Sequence, residues 1–523
     1  MTALSEVESS SPAPIGEVGT FCPRERRKFV LIAAILASAL GFIDGSILAI
    51  AIPAIRIDLS ASLVDAQWIS NAYALTLSAL ILVGGAAGDR FGLRKTFIAG
   101  IILFVVASMA CALAPDATTL IAFRAIQGIG AAIMVPCSLA IIAKAYPKSE
   151  RGQAIGIWAA ASALTTALGP VIGGFVLSAF EPGIWRAIFA INLPLGGLAV
   201  FILAAKVPSD SPAARRALDL AGAALATIGF GALAFGLTAL SAEDQSSGAM
   251  AAVASILIGL VVLCVFVGWE LRQRDPMVEL RLFSNGPFAG ANIATFFLYF
   301  SLSAIMFYLP MLLIAGWGLT SAEVGFTFVP LSAAIALLSR RIGKWSDRTG
   351  PRTPIALGSL LVAVAFAGLA VIAALHIHAF WGGVFPMMVV MGLGMAFVVS
   401  PLSTAVMTAV EDRDTGAASG INNAVARIAG LVAVAAMGAV AAYVYVVSLD
   451  TQSVQTLPGY GEPVLEKLEP ALETVRLGAS DSAFAAVATI TAVLCVVSAL
   501  VAWVSVSNSP APAAAQAAAG IDG

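Results

Sequence analysis

Long apolar runs, separated by short polar connections, repeat from one end of the chain to the other. A helix needs about 20 residues to cross a bilayer. On that measure the pattern predicts fourteen spans, near 29–54, 67–87, 96–114, 118–142, 154–179, 187–205, 219–240, 250–269, 288–314, 322–339, 354–375, 381–408, 416–447 and 483–506. The first run follows a basic front of Arg24, Arg26, Arg27 and Lys28. It is longer than the 7–15 residues or so of a signal-peptide core, and no small-residue cleavage site closes it, so it reads as a span. Residues 1–28 and 507–523 lack periodicity and are expected to be disordered tails.

The basic residues test the count. With the N-terminus on the cytoplasmic side, alternate connections face inward, and these hold 22 of the 28 lysines and arginines. Arg56, Arg186, Lys467 and Arg476 face outward, and Arg124 and Arg427 lie inside spans. Such asymmetry over short loops is the positive-inside pattern. Removing or adding one span would invert every later loop, so fourteen spans with both ends inside is the expected topology. The longest polar interval, 448–482, then lies outside.

Residues 85–95, GAAGDRFGLRK, and residues 343–352, GKWSDRTGPR, share G-x-x-x-D-R-x-G, each after an even-numbered span. That separation suits two related halves of six helices with two more between them. The expected fold is therefore an all-α polytopic membrane protein. A first six-helix bundle covers 29–205, an inserted helix pair 206–287, and a second bundle 288–506.

Composition agrees. The chain of 523 residues is 60% apolar and 11% charged, with mean hydropathy +0.96, against about 25% charged for soluble proteins. The net charge of −2 gives no reason to expect nucleic acid. Cys111, Cys137, Cys264 and Cys495 fall in apolar spans and Cys22 in the N-terminal tail; they read as small hydrophobes. The only histidines, His376 and His378, make a poor metal site, and no metal or cofactor is expected. No pairing of a nucleophile with a base suggests an enzyme, and no G-x-x-x-x-G-K-[ST] stretch suggests ATP.

Several segments resemble the major facilitator superfamily in its fourteen-helix drug:proton antiporter branch, over nearly the whole chain. GAAGDRFGLRK is similar to the loop between spans 2 and 3, and LIAFRAIQGIGAA (120–132) to the R-x-x-Q-G-x-G pattern of span 4. ALGPVIGGFVL (167–177) carries G-P-x-x-G-G, WRAIFAINLPLGG (185–197) is similar to the entry to span 6, and GAASGINNAVARIAG (416–430) to that of span 13. The resemblance implies that Asp89, Arg90 and Arg94, with Asp347 and Arg348 in the second half, latch one conformation. It also implies that Gly169, Pro170, Gly173 and Gly174 form a hinge. From the residues alone, that last set reads equally well as a tight helix crossing.

One acid stands out. Asp44 is the only acid between Phe29 and Ile55, where a charged carboxylate costs roughly 2.5–3.5 kcal/mol at the bilayer centre. Low dielectric favours the neutral carboxyl, whereas water or a cation favours the charged one, so such a group can exchange a proton. DGSILAIAIP (44–53) resembles the family's span 1, with Ala49 where an Asn is usual. Arg124, mid-span, needs an acid, water or the bundle interior, and the resemblance has it tuning Asp44. A static ion pair is the plainer alternative. Trp68, Asn71, Tyr73, Gln127, Trp158, Asn292, Phe296 and Tyr299 are candidates to line a substrate cavity.

The expected function is a proton-coupled secondary exporter of small amphipathic or drug-like molecules across a bacterial cytoplasmic membrane. Its partners would be the lipid bilayer, protons and a small-molecule substrate, and it would act as a monomer. An uptake symporter and a non-transporting membrane sensor are the alternatives.

Overall fold

The computed structural model describes residues 20–508, except 181, 212–217, 243–244, 275, 412–413, 450–456, 463 and 465–467. Both expected tails thus lie largely outside the described residues, as do Arg215, Arg216, Arg413 and Lys467. Fourteen helices among the described residues are long and apolar enough to span a membrane. They are α1 (Arg24–Leu59), α2 (Leu63–Phe91), α3 (Leu93–Ala112), α4 (Ala117–Ala145), α5 (Ser149–Ala179), α6 (Gly183–Lys206) and α7 (Leu220–Ala239). The rest are α8 (Gly248–Glu270), α9 (Gly286–Gly316), α10 (Ser321–Thr349), α11 (Arg352–Ala374), α12 (Phe380–Thr408), α13 (Thr415–Val447) and α14 (Pro470–Ser505).

Local chemistry places several of the ends. Ser62 and Asp65 form a reciprocal capping box at the start of α2, as Thr320 and Glu323 do for α10. Asp116 caps α4 and Asn285 caps α9. The largest departure from the hydropathy reading is α14, which begins at Pro470, well before 483. Its first turns are polar, yet Arg476 is buried and donates to the Ala315 and Gly316 carbonyls at the end of α9. Packing against α9 makes a helix there that hydropathy could not see.

The helices form two six-helix bundles with the same internal packing. In the first, α1 packs on α5 and α6, and α4 on α2 and α3. In the second, α9 packs on α13 and α14, and α12 on α10 and α11. Glycine makes the equivalent crossings close in both: Gly100 and Gly130 where α3 meets α4, and Gly358 and Gly394 where α11 meets α12. The inserted helices α7 and α8 pack on each other, and α7 lies against both α2 and α13, along the seam between bundles.

The bundles touch on one side of the seam. Gln67 of α2 donates to the Tyr308 hydroxyl of α9 at 2.8 Å, and that hydroxyl donates to the Val434 carbonyl of α13 at 2.5 Å. The Ala322 backbone N–H of α10 donates to Ser178 of α5. Over the same face, Arg56 donates to the carbonyl of Tyr460, a buried ring from the segment before α14. Towards the face where α1 begins and α14 ends, the bundles diverge around a cavity of about 1610 Å³.

A Cβ at Gly130 would sit 2.5 Å from the Phe104 backbone nitrogen and 2.8 Å from its Cα, with no flexible atom to move aside. At Gly197, on α6, a Cβ would meet nothing within 4 Å. Overpacking typically costs about 1–3 kcal/mol. In detergent melting curves, Gly130→Ala is therefore expected to lose several degrees and Gly197→Ala to match the wild type.

Candidate functional site

Asp44 is buried at the centre of the first bundle, 1% exposed. Arg124 and Gln127 stand one turn apart on one face of α4 and close on it together. Arg124 Nη1 donates to Asp44 Oδ2 at 2.6 Å, and Gln127 Nε2 donates to Asp44 Oδ1 at 3.0 Å. Arg124 also donates to Gln127 Oε1 at 2.7 Å and, through Nε, to the Ile69 carbonyl of α2 at 3.0 Å. The guanidinium lies 4.3 Å from the Tyr73 ring centroid and 5.7 Å from that of Phe189. Gly128 permits this: a Cβ there would lie 2.5 Å from the Tyr73 carbonyl. Each carboxylate oxygen thus has a donor, which a buried charge requires.

The cavity runs beside this cluster. Ser38, Gly41, Phe42 and Gly45 of α1 form one wall, and Tyr73 lies between Arg124 and the open space. Ser38, Gly41 and Gly45 recur at helical spacing, a small-residue stripe that could have been read from the sequence. Trp158 of α5 also lines the cavity, its indole N–H donating to Ser38 at 2.9 Å.

The other cavity candidates lie elsewhere. Trp68 and Asn71 sit five and two residues from Tyr73, well around α2 from it at about 100° per residue. Trp68 packs on Phe235 of α7, ring centroids 6.3 Å apart, and Asn71 is fully buried. Gln127 belongs to the carboxylate cluster. Asn292 is buried and accepts from Asn422, Phe296 packs on Phe297 and Phe300, and Tyr299 is half-buried near Arg427.

The glycine–proline segment of α5 lies in the seam. Gly169 and Gly173 face α1, where a Cβ would sit 3.1 Å from Ser46 Oγ and 2.7 Å from Ile47 Cγ2 respectively. On the other side of α5, Gly174 approaches the Ser321 carbonyl, and a Cβ on Gly325 would lie 2.7 Å from the Pro170 carbonyl. One short segment thus serves two crossings, one of them between the bundles.

At the loop between α2 and α3, Asp89 and Arg90 are exposed, as are Asp347 and Arg348 at the equivalent place in the second half. The Asp89 and Asp347 carboxylates make no hydrogen bond or ion pair with the described residues. The acid that holds the start of α3 is instead Asp210, after α6. It accepts from the backbone N–H groups of Leu93 and Arg94, both at 3.0 Å, and from Lys144 of α4 at 2.8 Å. Arg94 completes the joint, donating to the Leu203 and Ala204 carbonyls and to Ser209. Nothing in local spacing pointed to Asp210, which lies more than a hundred residues from the helix it caps. A similar distant knot closes the opposite face of the second bundle. There buried Asp481 joins His376 at 2.9 Å, His378 at 2.8 Å and the Trp317 indole N–H at 2.8 Å.

Burial acts to raise the Asp210 pKa, but Lys144 and the two backbone donors outweigh it and hold the carboxyl below its ordinary value. Its contribution is thus full above the unfolded carboxyl value of about 3.9 and is lost as pH falls through the depressed folded value. Hydrogen bonds to charged groups contribute about 1.5–3 kcal/mol. Asp210→Asn is expected to lose about that much at pH 7. Melting temperatures followed from pH 7 to 3 should show a shallower acid decline in the variant than in the wild type.

Residues 34–434 match the Major Facilitator Superfamily. The chain is 29% identical to the tetracenomycin C resistance and export protein of Streptomyces glaucescens, over 85% of this chain and 81% of that protein. It is 31% identical to the methylenomycin A resistance protein of Bacillus subtilis, over 78% and 87%. It is 30% identical to the probable actinorhodin transporter of Streptomyces coelicolor, over 82% and 74%. In fold it is similar to a bacterial homologue of the human lysosomal transporter Spinster, in an inward-facing, unoccupied conformation. The TM-score is 0.63 at 18% identity, covering 94% of this chain and all of that one. It is likewise similar to a D-xylose–proton symporter, with a TM-score of 0.61 at 14% identity, covering 92% and 98%. The chain is a multi-pass membrane protein and belongs to the Major Facilitator Superfamily.

Proposed function

We propose that this chain is a proton-coupled antiporter that exports small amphipathic molecules across the bacterial cytoplasmic membrane. The observation that carries the reading is the sealed Asp44–Arg124–Gln127 cluster, separated from a large cavity by the Tyr73 ring. Here the acid is matched by arginine. Movement of α1 relative to α4 would part the two and expose the carboxylate, where it can take a proton. The resistance and export proteins it resembles support the direction of transport.

In this reading both termini are cytoplasmic and the cavity is open inward. The moving units are 29–205 and 288–506, with 206–287 as a seam-filling pair. Gly169, Pro170, Gly173 and Gly174 form the pivot where α5 slides between α1 and α10. Asp89, Arg90, Arg94, Asp347 and Arg348 would engage when the inner mouth closes, Asp210 meanwhile keeping α3, α4 and α6 together. The protein works as a monomer, and the segment at 457–462 covers the outer face over α1, α9 and α13.

Energy is sufficient. One proton entering down 100 mV supplies about 2.3 kcal/mol, and about 1.4 kcal/mol is a tenfold ratio, so one proton sustains a gradient of several tens for a neutral substrate. Proteoliposomes with an imposed pH difference test the direction whichever way the protein inserts. Two amphipathic dyes serve as probes: neutral N-phenyl-1-naphthylamine and the permanently anionic 1-anilinonaphthalene-8-sulfonate. Antiport accumulates at least one of them in an acidic lumen, and an ionophore that collapses the gradient stops it. Accumulation only in an alkaline lumen would establish symport, and indifference to the gradient would refute proton coupling.

A further inference from the structure

One arginine deep on the cavity wall has no acid to match it among the described residues. Arg427 lies on α13, twelve residues from Thr415, or about 18 Å into the bundle at 1.5 Å per residue. Its side chain lines the cavity, and its Nε is buried without a hydrogen-bond partner. The guanidinium makes no hydrogen bond or ion pair with any described residue. Among the described residues, the titratable side chains that act on it are the phenols of Tyr73 and Tyr299, and neither is an acid that could match it.

The other arginines around this space are accounted for or lie at its edge. Arg124 is matched by Asp44. Arg281, at the mouth, pairs with Glu279 and Asp414, and Arg274 is exposed there. The acids on the cavity wall, Asp89, Asp219, Glu270, Glu279 and Asp414, belong to helix ends and connections near the mouth. An uncompensated charge at membrane depth is costly and is normally met by a partner. Among the described residues the unmatched deep charge on this wall is positive, and it faces a space lined by Phe42, Trp158, Met306 and Phe328.

We propose that Arg427 is the anion-recognition residue of the cavity, so that the preferred substrate is an amphipathic organic anion whose acidic group docks on the guanidinium while its apolar body lies against the aromatic wall. A planar guanidinium presents paired N–H donors that suit a carboxylate or sulfonate. Asn423, one turn earlier on the same helix, also lines the cavity and adds a polar group beside the head. The proposal deepens the exporter reading and rests on it for the word substrate, but anion binding itself can be measured without transport.

The test is equilibrium binding of 1-anilinonaphthalene-8-sulfonate and N-phenyl-1-naphthylamine to purified full-length protein in phosphatidylcholine nanodiscs, with empty nanodiscs subtracted. The two probes share an aromatic skeleton and differ in charge. The wild type is expected to prefer the sulfonate by tenfold or more. In Arg427→Gln that preference should fall at least tenfold, and Arg427→Lys, which keeps the charge without the fork, should fall between. A monodisperse elution profile checks that each variant is folded. A preference within twofold of the wild type in Arg427→Gln would overturn the proposal. So would loss of the Arg427-dependent sulfonate binding when phosphatidylglycerol replaces half the lipid, which would assign the site to a lipid headgroup. Selective sulfonate binding without gradient-driven transport would retire the exporter reading and leave the anion site standing.

Discussion

A carboxylate and a guanidinium sealed from water inside a helical bundle constrain everything around them. Separating either from the other at that depth leaves a bare charge, and removing one partner of a buried pair costs about 3–5 kcal/mol. The neighbours of Asp44 and Arg124 are arranged accordingly. Gln127 takes the second carboxylate oxygen, the Ile69 carbonyl takes a third guanidinium donor, and Tyr73 and Phe189 cover the cation. A carboxylate with a donor on each oxygen, facing a guanidinium held by three hydrogen bonds, has a definite resting state. In the proposed mechanism it leaves that state only when a proton, water or another charge replaces what is lost, which would link chemistry at Asp44 to movement of the helices that carry the pair.

The same logic applies to the two bundles. On the closed face they are joined by a few polar bridges and by glycines that let backbone touch backbone, as between Gln67, Tyr308 and Val434 or between Gly174 and Ser321. One buried apolar cluster also crosses the seam, from Ile47 and Leu177 to Phe307 and Val324, although most helix-on-helix packing lies within each bundle. The joint made by Asp210, Arg94 and Lys144 lies within the first bundle, so it keeps three helices together whatever the seam does.

Much of this was legible in the sequence, for physical reasons. Hydropathy over twenty-residue windows and the alternation of basic loops depend only on the bilayer, and they gave fourteen spans. Asp44 and Arg124 announced themselves because charge is rare at that depth. What stayed hidden was long-range or angular. Trp68 and Asn71 share a short segment with Tyr73, but helical rotation carries them away from the cavity. Asp210 and Asp481 find partners more than a hundred residues away, and Arg476 hides in a polar turn that only the end of α9 makes helical. Arg427 was visible as an in-span charge, but its lack of a partner is a property of the assembled cavity.

Whether Asp44 carries the proton or only braces Arg124 is decided by comparing two activities of Asp44→Asn in the same proteoliposomes. One is uptake driven by an imposed pH gradient; the other is exchange of probe for probe at equal pH, which needs binding and alternating access but no proton. A proton-carrying Asp44 gives a tenfold or greater loss of driven uptake in the variant, with exchange preserved. Driven uptake at the wild-type rate, or loss of both activities together, would contradict it.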